Sequence, residues 1–230
     1  MGTFLVVGGT SGIGNEIVHQ LSNAGHEVWV TGREEKNLDG LSVRFQQWDA
    51  MNPTDIDLPE SLDGLVYAPG TINLKPFHRI KIDGFREEMQ INYFGAVEVI
   101  QQSLTALKKS DHPSVVCFST VAVSQGMPFH TSIASAKGAV EGLVRSLAAE
   151  YAPTIRFNAV APSLVDTPLA GRLLSSDDKR EASDKRHPLK RVGTPKDLAN
   201  AAVYLLSEQS SWVTGQVIGV DGGMSSIRPI

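Results

Sequence analysis

Cysteine is almost absent, since Cys117 is the only one in 230 residues. No disulfide can close within the chain, and a thiol inside the apolar run Val115–Phe118 reads as a buried strand residue in a reducing compartment. Long apolar runs are absent too, none approaching the ~18 residues that a membrane-spanning helix needs. The chain enters a strand at once, without the charged start and cleavage site of a secretory leader, so a cytoplasmic protein free of membrane is expected. A basic surface is lacking: the net charge is −4, and Lys and Arg are scattered except at Lys179–Arg191, where acids interleave with them. Nucleic acid is therefore not an expected partner. His19, His26, His78, His112, His130 and His187 stand at no metal-ligand spacing with one another or with Cys117, and no metal site is expected. Internal repeats and low-complexity tracts are missing as well.

What remains is the composition of a globular domain. Hydrophobic residues at 41% and charged residues at 20% suffice for a buried core under a solvated surface. Short apolar runs alternate with helical patterns, the rhythm of an α/β, Rossmann-type, doubly wound parallel sheet of about seven strands with helices on both faces. Residues 1–230 are read as one such domain. The strands are expected at Thr3–Val7, Glu27–Thr31, Val43–Trp48, Gly64–Tyr67, Ser114–Ser119, Ile155–Val160 and Gln216–Val220. Helices are expected at Ile13–Asn23, closed by Gly25, and at Asp83–Lys109, Thr131–Tyr151 and Asp197–Ser207. Apolar stripes at Val97, Ile100, Leu104 and Leu107, and at Val140, Leu143, Val144 and Leu147, face either the core or another subunit. The charged segment Val165–Arg191, with Pro168 and Pro188 near its ends, is expected to leave the sheet as a lid.

Between the first strand and first helix lies Gly8-Gly9-Thr10-Ser11-Gly12-Ile13-Gly14. Glycines there let the backbone turn tightly and bring a pyrophosphate to the helix N-terminus, where unpaired N–H groups and the helix dipole favour negative charge. Thr10 and Ser11 add hydroxyl donors. The second strand ends Val30-Thr31-Gly32-Arg33, with no acid at its tip to hold ribose hydroxyls. Arg33 is placed to pair with a 2′-phosphate, although Glu34 and Glu35 weaken the local positive field, so NADP(H) is expected over NAD(H).

Further segments follow in order: Trp48-Asp49-Ala50, Tyr67-Ala68-Pro69-Gly70, Ile91-Asn92-Tyr93-Phe94-Gly95, Asn158 through Pro168, Arg191-Val192-Gly193-Thr194-Pro195, and Val213 through Gly223. Together with the glycine-rich turn, they make the chain resemble the classical short-chain dehydrogenase/reductase family nearly from end to end. The resemblance implies that Asp49 holds the adenine amino group and that Ala68 and Gly70 lie beside the adenine ribose, although the family usually shows Asn-Asn-Ala-Gly there. It implies that Asn92 is the catalytic asparagine, that Lys137 binds the nicotinamide ribose, and that Pro162, Val165 and Thr167 belong to the loop receiving the nicotinamide. Ser163 replaces that loop's usual glycine. The family commonly forms dimers or tetramers through its two long helices, which implies a homo-oligomer.

One position breaks the pattern. The family sets a tyrosine four residues before the lysine, and Ser132-Ile133-Ala134-Ser135-Ala136-Lys137 puts Ile133 there. The substrate-binding serine, thirteen residues earlier, corresponds to Thr120, with Ser119 adjacent. An alkoxide formed by hydride delivery needs a proton that isoleucine cannot supply, and a positioned general acid contributes about 10²- to 10⁴-fold in rate. His130, two helical turns before Lys137, is one candidate donor. Tyr93 and the pair Ser132 and Ser135 are others. The leading expectation is an NADP(H)-dependent oxidoreductase acting on a small carbonyl, alcohol or activated alkene with an altered proton donor, around Asn92, Ser119 or Thr120, and Lys137. The alternatives are a dinucleotide-binding sensor or structural subunit without redox turnover, and a non-redox isomerase or lyase.

Overall fold

A computed structural model describes residues 1–227. Seven parallel strands stand in the order β3-β2-β1-β4-β5-β6-β7. They are β1 (Thr3–Val7), β2 (Glu27–Gly32), β3 (Val43–Gln47), β4 (Gly64–Tyr67), β5 (Ser114–Phe118), β6 (Arg156–Pro162) and β7 (Val217–Val220). The helices are α1 (Gly12–Asn23), α2 (Ile82–Met89), α3 (Gly95–Leu107), α4 (Ala122–Gln125), α5 (Thr131–Tyr151), α6 (Asp177–Arg186) and α7 (Pro195–Leu206).

The central strands are apolar throughout because both faces are covered, and successive side chains alternate between them. Leu5 and Val7 join Leu65, Val115 and Phe157 in a core with residues of α3 and α5, whereas Val6, Val66, Val116 and Val160 pack with residues of α1 and α7 on the opposite face. The edge strand β3 has no fully buried residue.

The structure departs from the expected helices in two places. The segment expected as one helix from Asp83 to Lys109 divides into α2 and α3 around a π-helical turn at Gln90–Phe94. The buried residues of α3 are Gly95, Ala96, Val99, Ile100, Ser103, Ala106 and Leu107, leaving Val97 and Leu104 partly exposed, so the expected stripe is shared between the core and the surface. The expected lid contains α6, and it is pinned by a 2.7 Å Arg180–Asp166 ion pair and a 2.8 Å contact between the Ser163 hydroxyl and His187 Nε2. His187 is 1% exposed and holds the carbonyl of Ser183 through Nδ1 at 2.8 Å. The polar excursion is thus fastened to the end of β6 by the serine that replaces the usual glycine.

Candidate active site

All strands run parallel, so β1, β2, β4, β5 and β6 deliver the turns that follow them to one end of the sheet, where a doubly wound fold binds its ligand. The Gly8 and Gly9 amides both donate to the Thr31 carbonyl, at 2.9 and 3.1 Å, closing the turn after β1 against β2. Ser11 is the N-cap of α1, and its exposed hydroxyl makes no capping bond, which leaves a donor at the positive end of a 12-residue helix. Gly12 has φ +54°, and a Cβ on Gly14 would collide with the Gly8 carbonyl. The neighbouring Ile13 packs against the α1/α7 core. Thr10 is buried against Gly32, where a Cβ would come within 2.7 Å of the Thr10 hydroxyl.

Sequence reasoning missed what braces this turn. The Asn37 amide donates to the Thr10 carbonyl at 2.8 Å, and the Asn15 amide donates to the Asn37 carbonyl at 2.9 Å. Asn37 stands at φ 56°, a left-handed conformation that asparagine tolerates better than most residues. An asparagine a few residues past the second strand was the only available cue.

Along the rest of the rim, Arg33 is exposed and has no ion-pair partner among the described residues, whereas Glu34 is paired with Lys36 at 3.0 Å. Asp49 uses one carboxylate oxygen to accept from the Met51 amide at 3.0 Å. Half-buried Ala68 follows β4 and donates its amide to the Val7 carbonyl. On the opposite side, Pro162 ends β6, Val165 bridges to Gly193, and Thr167 lies 3.4 Å from where a Gly12 side chain would begin. The two ends of the cleft therefore meet. A turn stripped of side chains, a free hydroxyl at a helix N-terminus and an unpaired cation at the tip of β2 fit a nicotinamide dinucleotide.

The reactive end is built on α5. Lys137 is 6% exposed, and its Nζ lies 3.8 Å from where a Gly70 side chain would begin. Burial pushes its pKa down to about 8. Burial also pushes the Cys117 thiol up to about 12, so it stays a neutral core residue. Asn92 sits in the π-helical turn, a distortion that commonly marks functional sites. Its amide donates at 2.9 Å both to the Thr71 hydroxyl and to the Glu88 carbonyl.

The hydroxyl candidates separate clearly. Ser119 is buried and donates to Glu141 at 2.7 Å, so its proton is committed to the core. Thr120 is half-buried and accepts from the Ala122 amide at 3.3 Å, which leaves its own proton free. Ser135 is exposed and donates to the Thr131 carbonyl at 2.7 Å. Ser132, in contrast, is 2% exposed and its hydroxyl has no partner. His130 is the half-buried N-cap of α5, and its Nδ1 contacts the Pro128 carbonyl at 2.8 Å. Tyr93 is half-buried and stacks edge-on against Phe94, with ring centroids 5.1 Å apart. Ile133, in the tyrosine position, is buried.

The fold and cleft define a dinucleotide-binding enzyme frame. Residues 7–225 match the family model described as Enoyl-(Acyl carrier protein) reductase. A tropinone reductase homologue of Arabidopsis thaliana is 32% identical over 96% of this chain and 92% of its own length. The ligand-free aldohexose dehydrogenase of Thermoplasma acidophilum superposes with a TM-score of 0.89 at 27% identity, covering 100% of this chain and 96% of its own. The Pseudomonas aeruginosa RhlG/NADP active-site complex gives 0.88 at 25% identity, over 97% and 96% of the two chains. The chain belongs to the short-chain dehydrogenase/reductase family, whose members are oxidoreductases that bind a nicotinamide dinucleotide. No helix among the described residues is long and apolar enough to cross a membrane.

Proposed function

We propose that this protein is an NADP(H)-dependent oxidoreductase acting on a small carbonyl, alcohol or activated alkene, with a proton donor other than the family tyrosine. The observation that carries the reading is Lys137. Burying an ammonium group carries a large desolvation penalty, which a purely structural subunit has no reason to bear beside an otherwise intact cleft. When bound, the nicotinamide supplies or accepts hydride. Lys137 contributes the charge beside Gly70 that holds the adjoining ribose, and the uncommitted Thr120 hydroxyl orients the substrate oxygen. The unpaired Arg33, with Glu34 neutralised by Lys36, supports NADP(H) over NAD(H), and RhlG offers a relative with NADP bound. The reading includes a homo-oligomer paired through α3 and α5, because Val97, Leu104, Leu143 and Leu147 stay partly exposed on a single chain.

Two measurements test the redox reading together. NADPH fluorescence should be enhanced on binding, and at least one member of a panel of small carbonyl and enoyl compounds should oxidise the bound NADPH. Ile133→Tyr should raise carbonyl reduction by about 10²-fold, the lower range for a restored general acid. Tight NADPH binding with no turnover by the wild type would overturn the assignment.

A further inference from the structure

One buried acid is used by nothing described so far. Glu88, in the last turn of α2, is 2% exposed, and neither carboxylate oxygen has a hydrogen-bond partner. The Ser132 and Thr71 hydroxyls, though outside hydrogen-bond geometry with it, favour its ionised form, as does the Lys137 ammonium, while neighbouring Glu87 opposes it. Burial outweighs them all and holds the Glu88 carboxyl above the ordinary glutamate range. An unpaired carboxylate at such depth is costly, so burial favours the neutral acid over the ionised one.

Thr71 connects this acid to the cleft. It follows Gly70, beside Lys137, and is half-buried where Glu88 and Ser132 are closed off. A hydroxyl has two acceptor lone pairs and one proton. Thr71 spends one lone pair on the Asn92 amide at 2.9 Å, which leaves one lone pair for Glu88 and its proton for a substrate oxygen.

We propose that Glu88 is the proton source that replaces the missing phenol, acting through the Thr71 hydroxyl. This rests on the redox reading above. As a new C–H bond forms from the hydride of a reduced nicotinamide dinucleotide, the carbonyl π pair becomes an oxygen lone pair that takes the Thr71 proton. Thr71 regains a proton from Glu88, whose carboxylate is then reprotonated by solvent. Asn92 and Ser132 are positioning residues, one aiming Thr71 and the other donating to the carboxylate as it forms.

The test compares wild type, Glu88→Gln, Thr71→Val and Thr71→Ser. With a carbonyl that wild type reduces, Glu88→Gln and Thr71→Val should each lose about 10²-fold in kcat with NADPH affinity unchanged, and Thr71→Ser should recover most of the loss. Wild-type kcat should fall as pH rises through the Glu88 titration, and Glu88→Gln should lose that limb. Without cofactor or substrate, the infrared band of a protonated carboxyl should persist in wild type above the ordinary glutamate range and vanish in Glu88→Gln. Undiminished kcat in Glu88→Gln, or an equal loss in Thr71→Ser and Thr71→Val, overturns the proposal and leaves the redox reading standing. Wild type that binds NADPH and turns nothing over overturns both. If Glu88→Gln fails to fold, the two Thr71 variants and the wild-type infrared titration decide alone.

Discussion

At the residue scale, Arg33 has no ion-pair partner among the described residues. It stands at the tip of β2 with Glu34 held by Lys36, so its guanidinium is free for a bidentate grip on a 2′-phosphate. Arg33→Ala is expected to weaken NADPH binding roughly 10- to 100-fold, within the range for losing charge-assisted hydrogen bonds. NADH binding should change by less than about 2-fold, and fluorescence titration of both cofactors checks the difference. Arg33 could be read from the sequence because its position follows from a strand end and a glycine. Glu88 could not. Arg86-Glu87-Glu88 reads as a solvated charge run, and only the packing of α2 against α5 turns the third of these inward. Ser119 and Thr120 were likewise indistinguishable until Glu141, one helical turn beyond Lys137, was seen to claim the first.

At the scale of elements, α7 shows how sequence chemistry fixes a boundary. Thr194 and Asp197 form a reciprocal capping box with Pro195 at the start of the helix, and Arg191 grips the Asp197 carboxylate at 2.7 and 2.9 Å. The Arg191 hydrogen bond holds the Asp197 carboxyl well below the usual carboxylate range. A depressed acid adds stability above its unfolded pKa and loses it as pH falls through the folded value. Asp197→Asn should therefore lower stability by about 1 kcal/mol near neutral pH. The deficit should shrink as pH falls below ordinary aspartate values, as followed by thermal denaturation at several pH values. The alternation of short apolar runs with helical patterns made all seven strands and the principal helices legible, whereas the capping box went unread and the helix expected at Asp197–Ser207 starts at Pro195. The π-helical turn was not, because it inserts no residue type of its own and the sequence from Asp83 to Lys109 suits an α-helix throughout. The α6 excursion was visible only as dense charge, since its anchor joins Ser163 to a histidine 24 residues away.

At the scale of the whole molecule, the parallel order gathers chemistry from distant parts of the chain at one edge, so the cleft is only as rigid as the turns that frame it. Those turns differ in how they are held. The first is braced by Asn15 and Asn37, whereas the segment after β6 is held by the Ser163–His187 contact, a partly exposed Arg180–Asp166 pair, the Val165–Gly193 bridge and the Val192 amide on Asp184 at 2.7 Å. Adding NADPH should slow amide hydrogen exchange chiefly across residues 163–193 and much less in the Gly8–Gly14 turn, as read by mass spectrometry. The 3.4 Å approach of Gly12 to Thr167 carries that difference into kinetics. A dinucleotide lying across this seam would join the two turns, so its departure is expected to wait on movement of the segment after β6. Turnover at saturating substrate would then be timed by the excursion after β6, and loosening the Ser163–His187 latch would speed exchange of spent cofactor while weakening its hold.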